Sequence, residues 1–249
     1  MKISPIQDRL DFIERNLDKN KEKNIIIDLW CGTGLLSKEI YDKFKISVMW
    51  IDLDESNILL ALKNNPSGQY IMADINDTSI PFADTIICSE VLEHLEKTEI
   101  ILEKIHKQLK EEGKLLITIP NGYWPWELFE NQPLEIIRDF IAEKPFYQKL
   151  FFWLRKILHA QAKDSLNSWI GSRHLQRFTL KIIEENLNNA GFYISSRENI
   201  SFLANLLMFR LLKEKFPIIH TVDQFFSKKI PFFFASGWGI VAKKRNVTR

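Results

Sequence analysis

Cysteine is scarce in this chain: Cys31 and Cys88 lie far apart and in no metal-ligand spacing. That excludes a disulfide scaffold and a structural zinc site, and it suits a reducing, cytoplasmic compartment. Long apolar runs are missing too. The longest, 202–212 and 230–242, fall short of the roughly 20 residues a spanning helix needs. Neither sign of charge dominates. Lys and Arg total 34 against 32 Asp and Glu, a net charge of +2, so no strong field argues for a nucleic-acid partner. The opening stretch "MKISPIQDRLDFIERNL" is charged throughout and has no apolar signal core. There is no internal repeat and no low-complexity tract. What is present is 249 residues, 45% hydrophobic and 27% charged, the composition of a globular domain long enough to bury its own core. Basic residues gather locally at 144–163 and 243–249.

Hydrophobic spacing divides the chain into alternating elements. Ile6, Leu10, Ile13 and Leu17 recur at helical intervals, so an N-terminal helix is expected within 1–23. Short apolar runs at 24–29, 46–52, 69–74, 82–90 and 114–120 read as buried strands. Helices are expected at 34–44, 55–64 and 97–110 between them. Strands alternating with helices at this interval imply stacked βαβ units, hence an α/β, doubly wound, mostly parallel sheet. From 121 to about 175 the alternation stops in an aromatic, basic stretch, expected to be a mostly helical insertion. It resumes with a helix carrying Ile182, Ile183, Leu187 and Ala190 on one face, a turn at Gly191 and a strand. A helix-like segment at 202–213 and a last strand within 232–244 complete the chain, read as a single domain over 1–249.

In doubly wound sheets ligands bind beyond the carboxyl ends of the strands. Asp28, Asp52, Asp74 and Glu90 all stand at such ends. Residues 25–34, "IIIDLWCGTG", run from a strand into a loop with Gly32 and Gly34, where glycine permits a tight turn and a close ligand approach. A plain strand-to-helix turn without a ligand is the alternative. A dinucleotide pattern would place glycine where Ser37 stands. It would also set the Asp28 carboxylate against a pyrophosphate, and like charges repel. A cationic nucleoside reverses that sign. S-adenosylmethionine carries a sulfonium, an ammonium and a ribose. Asp28 suits its charged methionine end, Asp52 its ribose hydroxyls, and Asp74 its adenine amino group.

"DLWCGTG", "WIDLD", "ADI" and "DTIICSEVLEHL" together resemble the successive motifs of class I S-adenosylmethionine-dependent methyltransferases, most of all the group containing the ubiquinone-biosynthesis-type O-methyltransferases. The likeness extends over about 24–120 and 174–244, with Trp30 standing where that group's loop carries its first glycine. It implies a Rossmann-like, seven-stranded sheet whose last strand inserts antiparallel between the fifth and sixth. It implies S-adenosylmethionine as cofactor and S-adenosylhomocysteine as product. The cofactor site it implies comprises Asp28, Trp30, Cys31, Gly32, Thr33 and Gly34 in the loop, Asp52 and Leu53 after the second strand, Asp74 and Ile75 after the third, and Ser89 and Glu90 after the fourth. No "NPPY"-like base-methylating motif follows the fourth strand.

The remaining candidates concern the acceptor. His94 is four residues after Glu90, so the two are expected to share a helical face. The resemblance places this segment beside the reacting methyl, which makes Glu93 or His94 a candidate general base; the alternative is a packed, hydrogen-bonded pair. No third ligand accompanies them, so no metal is expected. His174 returns the chain to the sheet as a substrate contact, a base or a cap. Asn121, Tyr123 and Trp124 follow the fifth strand and either wall the acceptor pocket or serve as buried structural groups. Residues 144–163 combine an apolar stripe with lysines and arginines. That pattern is read as core packing, as a lid over an apolar acceptor, or as a peripheral contact with the inner face of an anionic membrane. The reading is a methyltransferase acting on a small-molecule or lipid-like acceptor, with O-methylation foremost. The rival is a non-catalytic binding or assembly module that keeps the fold.

Overall fold

The computed structural model describes residues 6–18, 24–30, 32, 34–66, 68–74, 80–123, 175–202 and 216–245. The insertion beyond Tyr123, including 144–163, lies outside them, as do Cys31, Thr33, Ile75, Trp124, His174 and most of the helix expected at 202–213.

Seven strands form one sheet in the order β3-β2-β1-β4-β5-β7-β6. They are β1 (Ile26–Leu29), β2 (Val48–Asp52), β3 (Gln69–Met72), β4 (Ala83–Ser89), β5 (Leu109–Pro120), β6 (Phe192–Ser201) and β7 (Gly237–Lys244). The first five pair in parallel, while β7 runs antiparallel between β5 and β6. The doubly wound, Rossmann-like expectation is met, including the antiparallel last strand. The helices are α1 (Gln7–Asn16), α2 (Leu35–Phe44), α3 (Glu55–Asn64), α4 (Thr98–Gln108), α5 (Leu180–Asn189) and α6 (Pro217–Ser227).

Strand side chains alternate between faces, and two cores result. Ile27, Leu29, Ile86, Leu115, Ile117 and Ile240 pack with α4 and α5 on one face. Ile26, Val48, Trp50, Ile87, Leu116 and Val241 pack with α1 and α2 on the other. Gly239 makes the second possible at β7: a Cβ there would lie 2.5 Å from the ring of Phe12, which is 1% exposed. Asp54 caps α3 by accepting from Ser56 N (2.8 Å), and Thr179 caps α5 by accepting from Ile182 N (3.1 Å).

Three expectations shift. The fourth helix stops at Gln108 rather than 110, and "EEG" lies inside β5. There the β4–β5 pairing jumps from Ala83–Leu109 to Thr85–Lys114, so the extra residues bulge out of register. The last strand begins at Gly237 because Phe232–Phe234 turn as one 3₁₀ helix after Pro231. Helix α6 was not expected; its signal is Pro217 in the first turn.

The inward face of α6 is polar. His220 lies between two carboxylates of α1, with Nδ1 3.0 Å from Asp8 and Nε2 3.2 Å from Asp11. Gln224 donates to Asp8 (3.0 Å) and to the Ile200 carbonyl (2.6 Å). Asp223, 1% exposed, accepts from Ser201 Oγ (2.9 Å) and Phe202 N (3.1 Å). Burial works against charge on His220, but the hydrogen bonds to Asp11 and Asp8 outweigh it and lift the imidazole to about 9. A raised folded value means the folded state binds more protons than the unfolded one between the ordinary value and 9. This stabilisation is therefore complete below about pH 6.5 and fades as pH rises through 9. Denaturant melts across that window should show stability falling with pH in the wild type. His220→Asn should be less stable at pH 6 by about 1–3 kcal/mol and should lose most of the slope.

Candidate active site

The loop after β1 is left-handed at alternate positions. Trp30 has φ 51°, Gly32 52° and Gly34 71°. The two glycines serve different ends. A Cβ on Gly34 would lie 2.0 Å from the Trp50 ring, so this glycine lets the start of α2 close against β2. A Cβ on Gly32 would meet nothing within 4 Å, so there is open space on that side of the loop. The Gly32 N–H donates to Asp52 Oδ2 at 2.8 Å. The other oxygen of that carboxylate accepts from Asp54 N (2.9 Å) and Asn57 Nδ2 (3.3 Å). Trp30 keeps a half-buried ring packed against the main core. Its backbone takes a glycine-like conformation at a cost of order 1–3 kcal/mol, while its side chain is turned inward.

Asp28 sits beneath this loop rather than on the open rim. It is 2% exposed and accepts from Ser37 Oγ at 2.6 Å. Ser37, the residue that breaks the dinucleotide pattern, is thus the partner that positions the acid. Burial raises the Asp28 carboxyl to about 7; the Ser37 hydrogen bond opposes this, and the neighbouring Asp52 charge adds to it. Farther along the rim, Asp74 is half-buried just past β3, and Leu53 is 57% exposed.

The turn after β4 departs from expectation. Glu90 is left-handed, with φ 57°, and Leu92–His94 form a single 3₁₀ turn. The helical face assigned to Glu90 and His94 does not exist, because neither the turn's start nor its period is α-helical. Glu90 faces β5 instead: its N–H donates to the Thr118 carbonyl (2.9 Å) and its Oε1 accepts from Thr118 Oγ1 (3.1 Å). Thr118 Oγ1 also lies 2.8 Å from Ser89 Oγ. With its one proton given to Glu90, Thr118 must accept from Ser89, so the three form a directed line. Thr118 was not singled out from the sequence, and its place inside an apolar strand offers no motif to find it by.

Glu93 and His94 are neighbours with different access. The Glu93 side chain is 1% exposed and its Oε1 lies 3.7 Å from His94 Nε2, whereas the His94 side chain is 29% exposed. Burial, then Glu93 and Asp28, push the nearby Cys88 thiol well up, so that sulfur stays protonated and inert. Asn121 is buried, with its polar atoms committed to main chain: Nδ2 donates to the carbonyls of Phe233 (3.0 Å) and Ala235 (2.8 Å), and Oδ1 accepts from Tyr123 N (3.2 Å). It clamps the end of β5 to the turn before β7 rather than walling a pocket. Tyr123 is 48% exposed beside it. Both roots of the insertion reach this rim. Gly122 N donates to Phe178 O (3.0 Å), while Leu175 N and Gln176 N donate to Glu93 O (2.7 and 3.0 Å). Among the described residues no group of His, Cys, Asp and Glu is arranged to hold a metal.

Residues 6–196 match the family described as "Methyltransferase domain". The chain belongs to this family. It is similar to the putative methyltransferase YqeM of Bacillus subtilis, 26% identical over 211 residues that cover 78% of this chain and 82% of that protein. A ubiquinone biosynthesis O-methyltransferase of Idiomarina loihiensis is 32% identical over 127 residues, 48% of this chain and 51% of that one. The mitochondrial counterpart of Schizosaccharomyces pombe is 30% identical over 123 residues, 44% and 43% of the two chains. The chain spans about half the length of these two relatives. In fold it resembles the magnesium protoporphyrin IX methyltransferase of Synechocystis with bound SAH, at TM-score 0.55, 13% identity and coverage of 97% and 84%. A S-adenosylmethionine-dependent methyltransferase of Mesorhizobium loti gives TM-score 0.58, 15% identity and coverage of 97% and 98%. The donor that the sequence resemblance implies for this chain is S-adenosylmethionine.

The described residues fit that donor. Open space fronts Gly32, with two buried carboxylates close beneath it, one of them at about 7. A cation above Asp28 would hold that carboxylate ionised, whereas a phosphate would meet repulsion. The raised folded value also fixes a sign. Stability from Asp28 is complete below about pH 3.8 and is lost as pH rises through 7. Asp28→Asn should therefore melt higher than the wild type above pH 7, by about 1–3 kcal/mol, with no advantage below about pH 4. Donor affinity should rise through pH 7 in the wild type and be weak and flat in the variant, read by calorimetry with S-adenosylhomocysteine as a control. In the loop itself, Trp30→Gly should still bind donor. Gly32→Val should weaken binding about tenfold or more, because a β-branched residue resists a left-handed backbone.

Proposed function

We propose that the protein transfers the methyl group of S-adenosylmethionine to a hydroxyl oxygen of a small-molecule or lipid-like acceptor. The observation that supports this is the open space beside Gly32, whose N–H is tied to the buried Asp52 carboxylate, with Asp28 buried at the end of the neighbouring strand. The oxygen preference is supported by the O-methyltransferases among the relatives, including those of ubiquinone biosynthesis. We read Asp28 as the partner of the donor's cationic end and Asp52 as the acceptor for its ribose hydroxyls. Asp74 would take the adenine amino group. Gly32 would give the donor room beside the loop, Trp30, Gly34, Leu53, Ser89 and Glu90 would frame the site, and Cys31, Thr33 and Ile75 are assigned to it by sequence. The donor supplies a methyl already activated on sulfur, so no covalent enzyme intermediate is required.

The protein's own task is alignment and proton removal. Holding nucleophile and methyl in line supplies several kcal/mol of the barrier. His94 is the group we assign to the acceptor proton: it is solvent-reachable, and the buried Glu93 carboxylate 3.7 Å away would stabilise the imidazolium formed. Tyr123, with Trp124 and His174 beyond the described residues, would border the acceptor, and the insertion rooted at Gly122 and Leu175 would cover it. Scarce cysteine supports a cytoplasmic setting, and among the described residues no helix is long and apolar enough to cross a membrane.

Binding of donor and S-adenosylhomocysteine by calorimetry is the first expectation. Absence of both would transfer the assignment to a non-catalytic binding module. His94→Ala should lower turnover about 10²-fold or more at saturating acceptor, with donor affinity unchanged. Equal turnover would remove His94 from the chemistry.

A further inference from the structure

Helix α6 is amphipathic in the reverse sense. His220, Asp223, Gln224 and Ser227 face inward, joined to Asp8, Asp11, Ser201 and Asn199. Its apolar residues face out: Ile218 is 67% exposed, Val222 45%, Phe225 54% and Phe226 51%. Ile218, Val222 and Phe225 follow at intervals of four and three, which is one stripe on a helix. The 3₁₀ turn that follows exposes Phe233 at 71% and Phe234 at 52%. A helix normally buries its apolar face. Here buried hydrogen bonds and an ion-pair cluster hold the polar face inward, so the exposed stripe is specified by contacts rather than left over.

The exposed charge within this segment has one sign, and the carboxylates of α1 beside it, Asp8 and Asp11, are turned to His220. Between Phe216 and Ser236 the only acid is Asp223, which is buried and bonded to Ser201 and Phe202. Lys228 and Lys229 are both exposed at the helix end, and Lys229 Nζ lies 4.0 Å from the Phe225 ring. Exposed phenylalanines bordered by lysines, with no exposed acid, complement an apolar layer under an anionic surface. The position is on the rim. Strand β6 runs parallel to β5, so its end at Ser201 and the start of β7 lie with the carboxyl ends of the other strands. Asn121 ties Phe233 and Ala235 to the end of β5.

We propose that the outer face of α6 and the Phe232–Phe234 turn form a docking surface for anionic lipid bilayers, turning the active-site rim toward the membrane. The proposal stands on the reversed helix and its charge, and it does not depend on the acceptor assigned above. The test is sedimentation of the full chain with phosphatidylcholine vesicles, with and without phosphatidylglycerol. The wild type should bind the anionic vesicles about tenfold more tightly than the neutral ones, and less tightly as salt rises. Ile218→Ser/Phe225→Ser/Phe233→Ser should lose at least about tenfold in binding while keeping its melting profile and its affinity for S-adenosylhomocysteine. Lys228→Glu/Lys229→Glu should lose the preference for anionic lipid. Failure to bind either vesicle, or equal binding by the serine variant, overturns the proposal. A wild-type dimer that the serine variant makes monomeric, without vesicle binding, assigns the face to a second copy of the chain.

Discussion

The backbone reversal after β1 is the constraint on which the site depends. Left-handed residues at 30, 32 and 34 fold the chain back in five positions. Gly34 brings α2 down onto Trp50 with no room for a side chain. Once α2 starts there, Ser37 in its first turn reaches Asp28, and the Gly32 N–H reaches the Asp52 carboxylate at the end of the neighbouring strand. Loop, helix and two acids are thus one unit. A different backbone at Gly32 would undo the bond to Asp52 and the opening in front of it together.

That unit stores an unfavourable charge. Burial, and then the nearby Asp52 charge, raise the cost of ionising Asp28. The proposed cationic donor would offset that cost by pairing with the ionised carboxylate. The left-handed Trp30 is a second cost, offset by a ring packed into the core. The rim after β4 follows the same economy of position. Ser89, Thr118 and Glu90 form a directed hydrogen-bond line that holds the turn carrying Glu93 and His94.

The C-terminal quarter is organised by buried polarity. Asn121, Asn199, Asp223 and His220 spend their side chains on carbonyls, hydroxyls and carboxylates of other elements. These bonds set the orientation of α6 against the ordinary preference for apolar contact, because an unsatisfied buried charge costs more than an exposed phenylalanine. The bonds of Asn121 bring the turn before β7 beside the end of β5, so the outward phenylalanines lie at the carboxyl end of the sheet.

Much of this was legible in one dimension. Short continuous apolar runs located the first five strands, and period-3.6 spacing the helices between them, since those elements bury residues by rule. Acids at strand ends and glycines in the first loop pointed to a cationic nucleoside donor, because charge sign and backbone freedom are properties of residue type. The family likeness supplied the strand inversion, which no local spacing encodes. Elsewhere residue type misled. Glu90 and His94 stood at helical spacing but fell in a left-handed residue and a 3₁₀ turn. Asn121 stood among pocket candidates but was consumed by two carbonyls more than 110 positions away. Helix α6 was hidden because its inward residues are polar. Sequence by itself determined the fold class and which acids and glycines stand at the strand ends. Only the tertiary structure decided which polar groups remain available there, because hydrogen bonds between distant segments leave no periodic trace.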